Sequence, residues 1–257
     1  MVVAGVLWCV VCWYALRGLG SVWGRAAGWV ERLSPYTRRL HAWVLSAPAT
    51  FVYVVLFTVS TLVQFSVPPR LIELLTTLQS TNLVNLHRAP LQTLLDSALW
   101  VADNGQGLSL YVVVFATVVA WAERRYGTPR IVVVGAAGHV LGSLLTVAVE
   151  RRALESGRAP ARLAVTTDVG VSYIMVAGCA AAVLLMRGRW LAVGVVFLGV
   201  GVVGPMFWSR TLWDLGHLLA MLCGLVVAWG LLRVAPPRRP PDLAGCLPVG
   251  GRRAGAS

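Results

Sequence analysis

The stretch IVVVGAAGHVLGSLLTVAV occupies positions 131–149 without a single Asp, Glu, Lys or Arg. At about 1.5 Å of rise per residue, a helix of this length matches a bilayer's hydrocarbon core, roughly 30 Å thick. Gly135, Gly138 and Gly142 punctuate it. Small residues at such spacing let two membrane helices approach closely, so the run is expected at a tight helix crossing. His139 falls in mid-run and is expected as a neutral packed residue with one hydrogen bond.

Working outward, comparable runs recur at 50–66, 108–122, 164–186, 190–208 and 212–232. Of the 257 residues 58% are hydrophobic and 12% are charged, whereas about a quarter are charged in an ordinary soluble domain. Mean hydropathy is +0.75. The expected fold class is therefore all-α: a polytopic transmembrane helix bundle of six core spans, preceded by an N-terminal hydrophobic segment. That segment, 2–16, lacks the basic start and small-residue cleavage site of a signal peptide. It reads either as a seventh helix or as an interfacial helix continuing through Arg17, Trp23, Arg25 and Trp29. The expected divisions are 1–47, a membrane domain at 48–235, and a disordered basic tail at 236–257.

All 22 basic residues are Arg, and the net charge is +12. No groove-reading motif accompanies that charge, so nucleic acid is not an expected partner; the lipid bilayer is. With 17–48 placed in the cytoplasm and sides alternating at each span, the arginines divide about two to one in favour of the inside, as the positive-inside rule requires. The long connection 67–107 carries Leu71, Leu74, Leu75, Leu78, Leu91, Leu94, Leu95 and Leu99 at helical spacing. Short amphipathic helices at the outer membrane surface are expected there. Segment 150–162 is expected as a charged, mobile outer loop. Cys9 and Cys12 have C-x-x-C spacing but no βαβ context, so they are expected to pack within a helix.

Two polar sites interrupt the apolar pattern. The fourth run begins TTDVGVSYIMVAG (166–178), and the sixth begins TLWDLGHLLAMLCG (211–224). Counted from the outer ends of their spans, Ser172 lies roughly 11 Å deep and His217 roughly 8 Å deep on the same side. A neutral imidazole can take the proton of a serine hydroxyl and activate it for acyl transfer. Alternatively, both residues make interhelical hydrogen bonds that hold the bundle. Asp168 stands four residues before Ser172 and Asp214 three before His217. Each could orient the imidazole, but a carboxylate at a helix start more often caps free N–H groups. Glu123, beside Arg124 and Arg125, is expected in an interfacial ion pair.

At these residues the chain resembles the rhomboid superfamily. Rhomboid intramembrane proteases carry G-x-S-G on the fourth helix and a His on the sixth, followed by small residues. Gly170-Val171-Ser172-Tyr173 is similar to the first element, and His217 with Ala220 and Gly224 to the second. Ala122-Glu123-Arg124-Arg125-Tyr126-Gly127-Thr128 is similar to the stretch that closes the second rhomboid helix. STNLVNLHRAPLQTLLDSALWV (80–101) with DVGVSY is similar to the actinobacterial rhomboid-like branch. The resemblance covers about 45–235 and implies a Ser172–His217 dyad, with Gly170, Asp168 and Asp214 supporting it. It further implies helix packing through Gly138, Gly142, Ala220 and Gly224, no metal or organic cofactor, and transmembrane proteins as substrates or clients. Two departures stand out: Tyr173 replaces the last Gly of G-x-S-G, and 105–112 has neither the His nor the Asn that binds the oxyanion in rhomboids. Asn104 is nearby. Either an intramembrane serine protease or a non-catalytic protein that holds transmembrane helices is compatible with this pattern.

Overall fold

In a computed structural model of the chain, residues 2–101 and 107–239 are described, and every regular element among them is helical. They divide into two compact units, 2–48 and 49–239. Asn104 and residues 240–257 of the tail lie outside the described residues.

In the first unit, α1 (Val2–Leu19) is followed by α2 (Gly24–Leu45). Gly20 turns the chain between them, packed against Ala27 and Val30. Cys9 and Cys12 sit one turn apart on α1 and are exposed rather than packed.

The second unit starts with α3 (Pro48–Ser66), α4 (Pro69–Leu78), α5 (Leu83–Arg88) and α6 (Pro90–Ser97). Next come α7 (Leu108–Val114), a π-helical turn (Phe115–Val119), α8 (Ala120–Tyr126) and α9 (Thr128–Glu155). The chain closes with α10 (Val171–Val183), α11 (Arg189–Leu198), a second π-helical turn (Gly199–Val203), α12 (Pro205–Trp208) and α13 (Leu212–Val234). Among the described residues four helices are long and apolar enough to cross a membrane: Pro48–Ser66, Thr128–Glu155, Arg189–Trp208 and Leu212–Val234.

Two of the six expected spans differ from that standard. Residues 108–126 are one path made of α7, the π turn and α8, in which the Ala120 N–H reaches five residues back to Phe115. In the fourth run helix begins only at Val171. Residues 161–165 form a 3₁₀ turn and 166–169 have no helical structure. Partners far away in sequence hold the backbone of this stretch. The Thr81 N–H donates to the Asp168 carbonyl (2.8 Å), the Gly170 N–H to the Ser97 carbonyl (2.8 Å), and Trp213 Nε1 to the Thr167 carbonyl (2.6 Å). The depth of Ser172 is accordingly not a helical rise from residue 164, because Ser172 is the second residue of its helix. The loop expected at 150–162 is likewise shorter, since α9 runs on to Glu155, with Arg151 Nε 2.7 Å from Glu155 Oε1.

The short α10 is the centre of the unit, and its small side chains explain why. Ala177, Gly178, Cys179, Ala180, Ala181 and Ala182 are all buried, with α9 and α13 packed on α10 and on each other. Gly142 leaves little room for a side chain, since a Cβ there would stand 3.1 Å from the Cα of Ala220. A Cβ on Gly224 would meet the Cα of Ala177 at 2.7 Å, and one on Gly138 would overlap the Ala177 methyl.

Residues 67–101 form three short helices and a polar brace. Ser80, Thr81, Asn82 and Ser97 are buried in it. Asn82 Oδ1 caps α5 through the Asn85 N–H (2.9 Å), Trp100 Nε1 donates to Thr76 Oγ1 (2.9 Å), and the Tyr53 hydroxyl donates to the Ala98 carbonyl (2.5 Å). Glu123 is not in a simple ion pair at the membrane surface. Its carboxylate is buried and accepts from the N–H groups of Ala49 (3.0 Å) and Thr50 (2.8 Å) and from Thr128 Oγ1 (2.7 Å). The first-turn donors of α3, which have no carbonyl of their own helix to meet, are thereby satisfied. Gly127 links α8 to α9 at φ +85°, a left-handed conformation that glycine adopts without steric cost. At the other end of the unit 236–239 is not a free tail. The Arg238 N–H donates to the Arg125 carbonyl (2.7 Å), and Arg130 reaches the carbonyls of Ala235 and Pro236.

Candidate active site

His217 is the sixth residue of α13 and Ser172 the second of α10. Their side chains meet: His217 Nε2 lies 2.8 Å from Ser172 Oγ. Both residues are half-buried. Ser172 belongs to the first turn of its helix, where N–H groups have no intrahelical carbonyl and the dipole favours negative charge. The first bond within that turn is made by Ile174, whose N–H donates to Gly170 (3.1 Å).

Gly170 is required by sterics. A Cβ there would overlap the imidazole of His139, which packs underneath. His139 Nε2 lies 2.9 Å from the Leu94 carbonyl and 3.4 Å from Ser97 Oγ, which ties α9 to the brace.

Tyr173, the residue in place of the motif's last glycine, is fully buried. Its ring packs edge-on to His217, with centroids 5.4 Å apart, and its hydroxyl donates to Asp168 Oδ2 at 2.9 Å. Gly216, just before His217, leaves the space that this hydroxyl occupies. Asp168 also accepts from Thr81 Oγ1 (3.3 Å). The expectation that Asp168 caps α10 is therefore overturned: no side chain caps that helix, and the carboxylate is a buried anchor facing Tyr173. Asp214 does cap. Its Oδ2 accepts from the N–H and hydroxyl of Thr211 and from Ser209, each at 2.7 Å, while its own N–H donates to Thr211 Oγ1. That carboxylate is committed to the start of α13.

The Ser–His pair opens on a cleft of about 300 Å³ lined by Tyr111, Thr167, Asp168, Val169, Ser172, Trp213 and His217. Sequence reasoning did not single out Tyr111 or Trp213. Trp213 stands four residues before His217, so helical spacing puts both on one face, and this signal was available. Tyr111 comes from the α7 turn nearest the site, and no local pattern distinguishes it. Among the described residues no three His, Cys, Asp or Glu side chains gather as a metal site needs.

An all-helical membrane bundle with this order of elements defines a class, and comparison with known families gives its name. The model of the rhomboid-like protein family matches residues 42–235, and the chain belongs to that family. No curated protein and no solved structure matches it.

Proposed function

We propose that this rhomboid-like membrane protein is an intramembrane serine peptidase that cleaves transmembrane segments of other proteins. The observation that carries the reading is the 2.8 Å approach of His217 Nε2 to Ser172 Oγ, from helices forty-five positions apart, at the wall of an open cleft. Ser172 Oγ attacks the scissile carbonyl carbon while His217 takes the hydroxyl proton. The carbonyl oxygen becomes an oxyanion, for which the N–H groups opening α10 are the available donors. The imidazolium then gives its proton to the leaving amine as the C–N bond breaks, and water hydrolyses the acyl-enzyme by the same route. Each absent side-chain donor of the rhomboid oxyanion site costs about a hundred- to a thousandfold in rate, so slow turnover is expected.

Fluorophosphonate labelling in native membranes tests this. Wild type is expected to label, Ser172→Ala not at all, and His217→Ala at least about a hundredfold more slowly. Equal labelling of wild type and Ser172→Ala, or none of either, rejects the peptidase.

The lack of a His or Asn in 105–112 favours a second reading, a non-catalytic protein that binds client transmembrane helices through the same cleft. On that reading Ser172→Ala keeps every client. In either case 48–235 carries the function, no metal or organic cofactor takes part, and the protein resides in the plasma membrane. The arginine distribution supports a cytoplasmic location for 17–48 and the C-terminal tail.

A further inference from the structure

We propose that one exposed face of α2 is a docking surface for an anionic lipid leaflet. At about 100° per residue, Trp29, Leu33, Tyr36 and Leu40 fall in one stripe along Gly24–Leu45. Arg25, Arg32 and Arg39 follow at seven-residue intervals and form a row along its flank. The stripe faces outward: Trp29 is 57% exposed, Leu33 38%, Tyr36 68% and Leu40 61%. The three arginines are exposed too, and Ala26 is the only buried residue of the helix. Large apolar and aromatic side chains set in series on a surface mark something that covers them.

Two observations identify the cover as a lipid leaflet. The first is charge. Glu31 is the one acidic residue of α2, against Arg25, Arg32, Arg38 and Arg39, and the Arg32 guanidinium lies 5.7 Å from the Trp29 ring centroid. Arg25, Arg32 and Arg39 thus border the aromatic stripe, while Arg38 and Glu31 lie on the opposite face. A helix lying in a headgroup region needs this arrangement, with rings at the acyl boundary and guanidinium groups at the phosphates. An acidic protein would engage the arginine row without requiring the stripe. The second is tethering. Only four residues separate α2 from the apolar α1, and only Ser46 and Ala47 separate it from Pro48, where a candidate membrane span begins. A helix joined so closely to a membrane segment meets lipid at high effective concentration, and no encounter from solution is needed.

The test is hydrogen exchange of the full chain in nanodiscs of phosphatidylcholine alone and of phosphatidylcholine mixed with phosphatidylglycerol. Peptides from 24–45 are expected to exchange at least tenfold more slowly in the anionic discs, and high salt is expected to reduce the difference. Joint replacement of Arg25, Arg32 and Arg39 by Gln should abolish it, since each arginine near an anionic surface contributes roughly fivefold. The corresponding Lys variant should keep most of it. Unchanged exchange in α9 and α13 shows in every case that the fold is intact. Equal exchange in the two lipids, whether fast or slow, overturns the proposal, as does protection that survives in the Gln variant.

Discussion

The hydroxyl of Tyr173 donates a 2.9 Å hydrogen bond to Oδ2 of Asp168, and both side chains are buried. This bond joins the first turn of the helix that bears Ser172 to the unwound stretch before it, and the same ring packs on His217. Tyr173→Phe keeps the ring but leaves Asp168 with Thr81 as its side-chain donor, a loss expected to cost about 1–3 kcal/mol. Tyr173→Ala also opens a cavity and should cost more, about 3–5 kcal/mol. Thermal unfolding in detergent measures both. Equal stability of the Phe variant and wild type would show that the bond contributes nothing.

The crossing of α9 with α13 makes a contrast between two glycines. Gly142→Ala places a methyl 3.1 Å from the Cα of Ala220 and should destabilise by about 1–3 kcal/mol. Gly230, on α13, has no atom within 4 Å of where a Cβ would stand. Gly230→Ala should therefore be neutral or stabilising by up to about 1 kcal/mol, because alanine is the better helix former. The same unfolding experiment ranks them, and the reverse order would refute the close crossing.

Glu123 holds the start of α3 through two backbone N–H groups and Thr128. Glu123→Ala leaves these donors unpaired and is expected to cost about 1–3 kcal/mol, while Glu123→Gln keeps one acceptor oxygen and costs less. Limited proteolysis near 45–50 should accelerate in the order wild type, Gln, Ala. If the Ala variant resists as well as wild type, the carboxylate does not secure this helix start.

Trp213 walls the cleft and donates to the Thr167 carbonyl at 2.6 Å. If Ser172 is reached through that cleft, Trp213→Ala should speed labelling by a bulky fluorophosphonate more than labelling by a small one. Identical ratios for the variant and wild type would mean that reagents arrive another way.

Much of this architecture is legible along the chain, because apolar runs and local caps are properties of neighbouring residues. The spans at 50–66, 131–149, 190–208 and 212–232 are found as helices, and Thr211-x-x-Asp214 reads as a helix start and is one. Asp168 has the same local appearance and a different role. Its partners are Thr81, eighty-seven positions earlier, and Tyr173, and a stretch held by Thr81, Ser97 and Trp213 does not wind into helix. The helix-start role of Glu123 is hidden in the sequence for the same reason, since the N–H groups it serves are more than seventy positions away. The proximity of Ser172 and His217 could be expected only from their order on the helices; their orientation toward each other depends on the glycines and alanines packed beneath them.

The π-helical turn at Gly199–Val203 is followed by Gly204, whose N–H reaches five residues back to Gly199 (2.7 Å), and then by Pro205, which has no N–H to give. A turn of this kind holds one residue more than an α-helical turn. Deleting a single residue from it would let it close as an ordinary α-helical turn, with both halves of the span keeping nearly the same angular setting. Gly194 would stay against Val183 and Met186 at the end of α10, and α12 would keep its place beside α13. The same deletion within Arg189–Leu198, where the helix has no residue to spare, would turn one half against the other by about 100°, so 199–203 is the one place where this span can lose a residue without being re-clocked.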